Sequence, residues 1–128
     1  MSDLNSTHNR CVWFDIPVQD LKRAQQFYAK VLAVKVTTET HDGFTFGVLD
    51  HNEGNGGCLI PHENEVTDQL GVLIYLNVDG RIKDALEQVE EQGGQVIDPI
   101  HDIGPYGCRA IIKDSEGNRI ALHSTSNK

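Results

Sequence analysis

His62 and His123 stand 61 residues apart, and each closes a short apolar run, Cys58-Leu59-Ile60-Pro61-His62 and Arg119-Ile120-Ala121-Leu122-His123. Imidazole exchanges a proton near neutral pH and is the commonest protein ligand for divalent metals. Joined by a carboxylate such as Asp15, the two rings can form a three-donor metal site, and either one alone can serve as a general base or a binding group. The alternative for each is a local hydrogen bond at a partly solvated strand end. His62 and His123 are therefore the catalytic candidates, with the reaction itself left open. Around them stand other groups able to hold a ligand. Trp13 offers a stacking face, or else fills the sheet. Asp15 and Tyr75 can orient a bound molecule, or bond across strands. Arg119 can meet a carboxylate or phosphate, or lie solvated after a turn. Tyr106, in the loop Gly104-Pro105-Tyr106-Gly107, can cover a pocket mouth or pack within its loop. His101 and Asp102 are adjacent, and neighbours in sequence seldom converge on one atom, so they receive no role.

The elements that must position these residues are written twice. Trp13-Phe14-Asp15-Ile16-Pro17-Val18 and Leu73-Ile74-Tyr75-Leu76-Asn77-Val78 are matching extended runs about 60 residues apart. Each leads into an Asp and an amphipathic stretch, in which Leu21, Ala24 and Tyr28 correspond to Ile82, Ala85 and Val89. In the first half, Cys11 to Val18 reads as a strand and Asp20 as the cap of a helix running to about Ala33. Strands over Val34 to Thr38 and Phe44 to Leu49 follow, joined by an Asp42-Gly43 hairpin turn, and Cys58 to His62 is a fourth strand. In the second half, Val72 to Val78 is a strand, Asp79 opens a helix stopped by Gly93-Gly94, and Gln95 to Ile97 is a strand. A Pro/Gly loop over Asp98 to Gly107 then precedes strands at Cys108 to Ile112 and Arg119 to His123, joined by a polar turn. Both halves read βαβββ.

Composition narrows the functional classes. A length of 128 residues fits one domain whose two modules share a core, module one at about 10–63, a polar connection at about 63–70 and module two at about 71–125. With 19 acidic against 11 basic residues the formal charge is −8. That charge opposes phosphate backbones and anionic membranes, so neither nucleic acid nor membrane is an expected partner. No run reaches the roughly 20 apolar residues of a membrane span, and the polar start lacks a signal pattern, which makes a cytoplasmic location the expectation. Cys11, Cys58 and Cys108 are too widely spaced for a zinc motif or a disulfide framework and are read as reduced thiols. No P-loop, GxGxxG pattern or recognisable nucleophile setting occurs.

The phrases WFDIPVQDLKRAQQFY and YGCRAIIKDSEGNRIALHS, on the doubled βαβββ plan, resemble the vicinal oxygen chelate superfamily of glyoxalase I, bleomycin-resistance proteins, fosfomycin-resistance enzymes and extradiol dioxygenases. The resemblance runs from about Cys11 to His123. It implies an α+β fold of two tandem βαβββ modules whose curved mixed sheets form an open cup, often in a homodimer. It also sets four metal ligands on the first and last strands of each module, at Trp13, Ile60, Leu73 and Ala121 in this chain. An indole, two branched alkyl groups and a methyl supply no donor for a divalent ion, so no metal is expected there.

Side chains two apart share a strand face. Trp13 thus lies with Asp15, Ile60 with Cys58 and His62, Leu73 with Tyr75, and Ala121 with Arg119 and His123. Phe14, Ile16, Leu59, Ile74, Leu76, Ile120 and Leu122 form the opposite, helix-packed faces. The expected cup has an apolar floor of Trp13, Ile60, Leu73 and Ala121 and polar groups further out, a mixture suited to a small organic ligand. The expectation is a small-molecule binder that needs no cofactor. The rival is a lyase, isomerase or thiol-transferase acting on an α-oxo or hydroxylated substrate, either through histidine or through a metal on Asp15, His62 and His123. A third possibility is a scaffold dimer with a collapsed cup.

Overall fold

The structure, a computed structural model, describes residues 7–62 and 71–127; the expected connection at 63–70 lies outside the described residues. The fold is α+β, with each half of the chain folded as βαβββ. Two compact units result. One holds Phe14–Val72, and the other joins Met1–Trp13 to Leu73–Lys128. Strand β1 (Cys11–Val18) contributes residues to both.

In the first unit, β1 is followed by helix α1 (Leu21–Leu32), β2 (Val36–His41), β3 (Phe44–Leu49) and β4 (Cys58–Pro61). Asp20 caps α1 by accepting a hydrogen bond from the Arg23 amide at 3.0 Å, which satisfies one orphan donor of the first turn. Ala33 ends the helix in the left-handed conformation, φ 53°. The strand order is β2-β3-β4-β1, with β1 and β4 parallel and Asp15 opposite Cys58. The turn between β2 and β3 is the expected one, Asp42 and Gly43 both having positive φ, as a two-residue hairpin connection requires. Leu21, Ala24 and Tyr28 of α1 pack with Phe14, Ile16, Val18, Leu49 and Leu59, so the helix covers the face that alternation assigns to it.

The second unit contains β5 (Leu73–Asn77), α2 (Ile82–Glu91), β6 (Gln95–Asp102), a 3-10 turn (Gly104–Tyr106), β7 (Cys108–Lys113) and β8 (Arg119–Ser124). Its strand order is β5-β8-β7-β6, with β5 and β8 parallel. Ile82, fully buried, packs with Cys108, Ala110, Val78, Leu86 and Ile100, and Ala85 with Ile112, Leu122 and Ile120. Burying a side chain the size of Ile82 stabilises by about 1.5–3 kcal/mol, which is how α2 is held on this sheet.

Three details depart from the sequence reading. Strand β6 continues to Asp102, through Pro99, where a loop was expected. It ends the order of its sheet, and two register shifts flank Asp98, so a residue without an N–H is accommodated at an irregular edge. Helix α2 starts at Ile82 with Arg81, not Asp79, at the cap position. Asp79 instead accepts hydrogen bonds from the Thr125 amide and hydroxyl, both at 2.6 Å, and ties the end of β8 to the start of the helix. Finally, Ile74 and Leu76 are 40% and 37% exposed rather than helix-packed. The buried contacts of α2 are with β6, β7, β8 and the β5–α2 connection, leaving that face of β5 uncovered.

Candidate functional site

Alternation along the strands divides the second unit's sheet cleanly. Cys108, Ala110, Ile112, Ile120 and Leu122 point to α2, so Arg109, Ile111, Lys113, Arg119, Ala121 and His123 point to the helix-free face. Register completes that face, since cross-strand partners lie on the same side. Tyr75 is opposite Ala121, Ile111 is opposite Ala121 on the other flank, and Arg109 lies between His101 and His123. The floor is apolar and closed: Leu73, Ile111 and Ala121 are all buried.

Arg109 is the centre of this face. Its Nε–H donates to His101 Nε2 at 3.0 Å, and its Nη1 donates to the Tyr75 hydroxyl oxygen. The guanidinium carbon also lies 5.7 Å from the centre of the Tyr75 ring. His101 Nδ1 is 2.9 Å from the Pro99 carbonyl, which can only accept, so Nδ1 carries the proton and Nε2 is the acceptor for Arg109. A guanidinium cannot accept, so the Tyr75 oxygen is the acceptor in its bond with Arg109 and the phenol hydrogen is directed to another group.

His123 is fully buried. Its Nε2 lies 2.6 Å from the Tyr106 carbonyl and donates to it, and its Nδ1 finds no hydrogen-bond partner among the described residues. Burial pushes its pKa below the usual imidazole range, and this outweighs the Tyr106 carbonyl and the Asp79 charge, which both favour the protonated ring. The ring lies 6.4 Å from that of Tyr75. Tyr106, half-buried, is thus held by its backbone to His123, and Arg119 is half-buried on the strand that carries His123.

The first unit presents a different face. Asp15 accepts a hydrogen bond from the Cys58 thiol at 3.2 Å, and Phe44 stacks on Phe46 with centroids 6.1 Å apart. Ile60 is half-buried, and His62 lies exposed beyond β4, its amide bonded to the Val18 carbonyl at 3.0 Å. Trp13, on β1, is 7% exposed. The structure therefore brings Tyr75, Ala121 and His123 together in one unit and pairs Asp15 with Cys58 in the other. An open depression of about 290 Å³, lined by His8, Asn9, Arg10 and Asn77, includes none of the expected contacts.

The residues do not fit the metal that the resemblance implies. Trp13, Ile60, Leu73 and Ala121 have no donor to offer, and among the described residues no three His, Cys, Asp or Glu side chains come together to hold an ion. Sequence reasoning missed Arg109 and left His101 without a role. The signal was present, because Arg109 alternates with the apolar Cys108, Ala110 and Ile112. Its partner was hidden by ending β6 before Pro99.

Solved structures share the fold. A hypothetical protein of Bacillus halodurans matches with a TM-score of 0.71 at 18% identity, over 95% of this chain and 98% of that one. A methylmalonyl-CoA epimerase of Streptomyces coelicolor matches with a TM-score of 0.67 at 19% identity, over 94% and 99%. One from Mycobacterium tuberculosis gives 0.64 at 18% identity, over 90% and 87%. Identities this low establish the fold alone. In sequence, a glyoxylase-like domain-containing protein of Didymella fabae is 25% identical over 121 residues, covering 90% of this chain and 93% of the relative. A family model matches residues 10–122, nearly the whole repeat, and the chain accordingly belongs to the Glyoxalase/Bleomycin resistance protein/Dioxygenase superfamily.

Proposed function

We propose that this protein binds a small organic molecule, without a metal, on the helix-free face of its second-unit sheet. The observation that carries the reading is the composition of that face: a closed apolar floor of Leu73, Ile111 and Ala121, bordered by the polar ends of Tyr75, Arg109 and His123. A few placed polar groups over apolar surface are what a small ligand needs. The methylmalonyl-CoA epimerases of like fold are named for a much more anionic molecule, which a surface of net charge −8 disfavours. Cytoplasmic residence and a homodimeric state belong to the same reading. Among the described residues no helix is long and apolar enough to cross a membrane.

A second reading, histidine-based catalysis on an α-oxo or hydroxylated substrate, is favoured by one observation. The lone pair of His123 Nδ1 is unprotonated and has no described partner, as a general base requires.

Trp13 is the single tryptophan, so its emission isolates one residue of the second unit. A screen of small organic acids, aldehydes, amides and aromatic heterocycles is expected to give a saturable change in Trp13 emission or a matching calorimetric signal. Silence by both methods across the screen would remove the binding reading. Turnover of a bound compound that His123→Gln abolishes, with binding retained, would replace it with the catalytic one.

A further inference from the structure

We infer that the open depression lined by His8, Asn9, Arg10 and Asn77 is a binding site for a phosphate group, free or carried by a small molecule. The ligand reading of the helix-free face uses none of these residues, so the two stand or fall separately.

The first support is a cation beside open space. Among the described residues, the Arg10 guanidinium and the His8 ring meet no hydrogen-bond or ion-pair partner, and both residues line the depression. A guanidinium offers its N–H donors in a planar fork that matches two phosphate oxygens, and an imidazole donates from at least one nitrogen in either protonation state. The volume of about 290 Å³ equals that of about ten waters at roughly 30 Å³ each, room for a phosphate with its hydration or with a short organic chain.

The second support is the way the backbone beneath these side chains is held. Asn77, the last residue of β5, anchors the segment that leads into β1. Its amide donates to the Arg10 carbonyl at 2.7 Å and its Nδ2 to the Asn9 carbonyl at 2.9 Å, while its Oδ1 accepts from the Asp79 amide at 2.9 Å. His8, just before the anchored pair, has φ 65°, an uncommon conformation for a residue other than glycine. Asn9 Nδ2 donates to the Thr7 carbonyl at 3.3 Å across that bend. A segment already fixed in place loses less entropy when a ligand binds, which leaves more of the contact energy as affinity.

The third support is local charge. The chain is acidic, with a formal charge of −8, yet an arginine, a histidine and two amides line the depression, with no carboxylate among them. Asp79, whose amide meets Asn77, turns its own Oδ1 to the Thr125 amide and hydroxyl, both at 2.6 Å. A local positive group on an acidic protein gathers small anions that the rest of the surface repels. The lining side chains are all polar, which suits a compact, hydrated oxyanion better than the hydrocarbon of an organic acid.

Amide NMR titration of the full chain with inorganic phosphate, glycerol 3-phosphate and acetate, at constant low ionic strength, tests the site. Phosphate is expected to shift the His8, Arg10 and Asn77 signals saturably, with a Kd on the order of 1 mM. Arg10→Gln is expected to weaken binding at least about fivefold. His8→Asn, which keeps a residue tolerant of positive φ, is expected to weaken it about twofold or more, and preserves the test should Arg10→Gln fail to fold. Lys113→Gln makes the same charge change elsewhere in this unit. Asn77 is opposite His123 and His123 opposite Arg109, and Lys113 lies four residues further along β7. That separation, about 13 Å or more along the strands, exceeds a Debye length, so affinity is expected to stay within about 1.5-fold. Tighter binding of glycerol 3-phosphate than of inorganic phosphate identifies an ester as the ligand, and the reverse order identifies the free ion; both uphold the site. Acetate binding as tightly as phosphate overturns the inference. So does affinity unaltered in Arg10→Gln and His8→Asn, equal weakening in Lys113→Gln, or no saturation by about 20 mM phosphate.

Discussion

His123 shows how much one residue's surroundings decide. The Tyr106 carbonyl requires a proton on Nε2, and burial makes a second proton on Nδ1 costly. The folded state thus holds the imidazole pKa below its ordinary value of about 6.5, whereas the unfolded chain restores it. Below that value the unfolded state binds a proton that the native state refuses, so acid favours unfolding. The stability that neutral His123 contributes is fully present above about pH 6.5 and is lost as pH falls through the lowered native pKa. Urea titrations between pH 8 and pH 5 are expected to show declining stability in the native protein. His123→Gln starts less stable and declines less over the same interval; parallel pH profiles would reject this account. Strand alternation made His123, Tyr75 and Ala121 legible as neighbours on one face. It could not reveal the role of His123 toward Tyr106, because that contact depends on how an irregular turn folds back.

At the scale of elements, the Gly104–Tyr106 turn and the glycine after it hold the edge of the site. Gly107 has φ 101°, a conformation that L side chains rarely adopt. A Cβ at Gly107 would collide with the Ser124 carbonyl oxygen and approach His123 Nε2 to 3.3 Å. Gly107→Ala is therefore expected to cost about 2 kcal/mol or more, from backbone strain and overpacking together. Denaturant midpoints measure the cost. A proton spectrum should also show the His123 ring signals displaced as the Tyr106 bond lengthens, and a variant as stable as the native protein with unmoved His123 signals would show the turn to be unconstrained. Elements marked by local chemistry were readable from the sequence: the Asp20 cap, the Asp42-Gly43 turn and both helices. Those decided by tertiary placement were not. Pro99 reads as a breaker until its strand is known to lie at an irregular edge. Ile74 and Leu76 read as helix-facing until α2 is seen to pack on the neighbouring strands.

Across the whole molecule, the repeat made the fold legible because each half must bury the same stripes beneath its own helix, and those positions match: Leu21, Ala24 and Tyr28 in one, Ile82, Ala85 and Val89 in the other. The helix-free faces do not have to match a helix of their own unit, and there the halves differ. One carries Asp15 bonded to Cys58 and stacked phenylalanines; the other carries Arg109, Tyr75 and His123. The four places where the resemblance puts metal donors hold Trp13, Ile60, Leu73 and Ala121, three of them buried apolar groups that contribute to packing instead. Replacing a donor by a buried hydrocarbon removes affinity for divalent ions and adds apolar burial, so this chain should fold and stay folded without metal. Protein incubated with Ni, Zn, Mn or Fe(II) and then desalted is expected to retain far less than about one equivalent by inductively coupled plasma mass spectrometry, and chelation should leave its thermal unfolding unchanged. Stoichiometric metal that disappears in His62→Ala or His123→Ala would place an ion on side chains outside the four positions, and metal-dependent chemistry would then displace simple binding as the use of this fold.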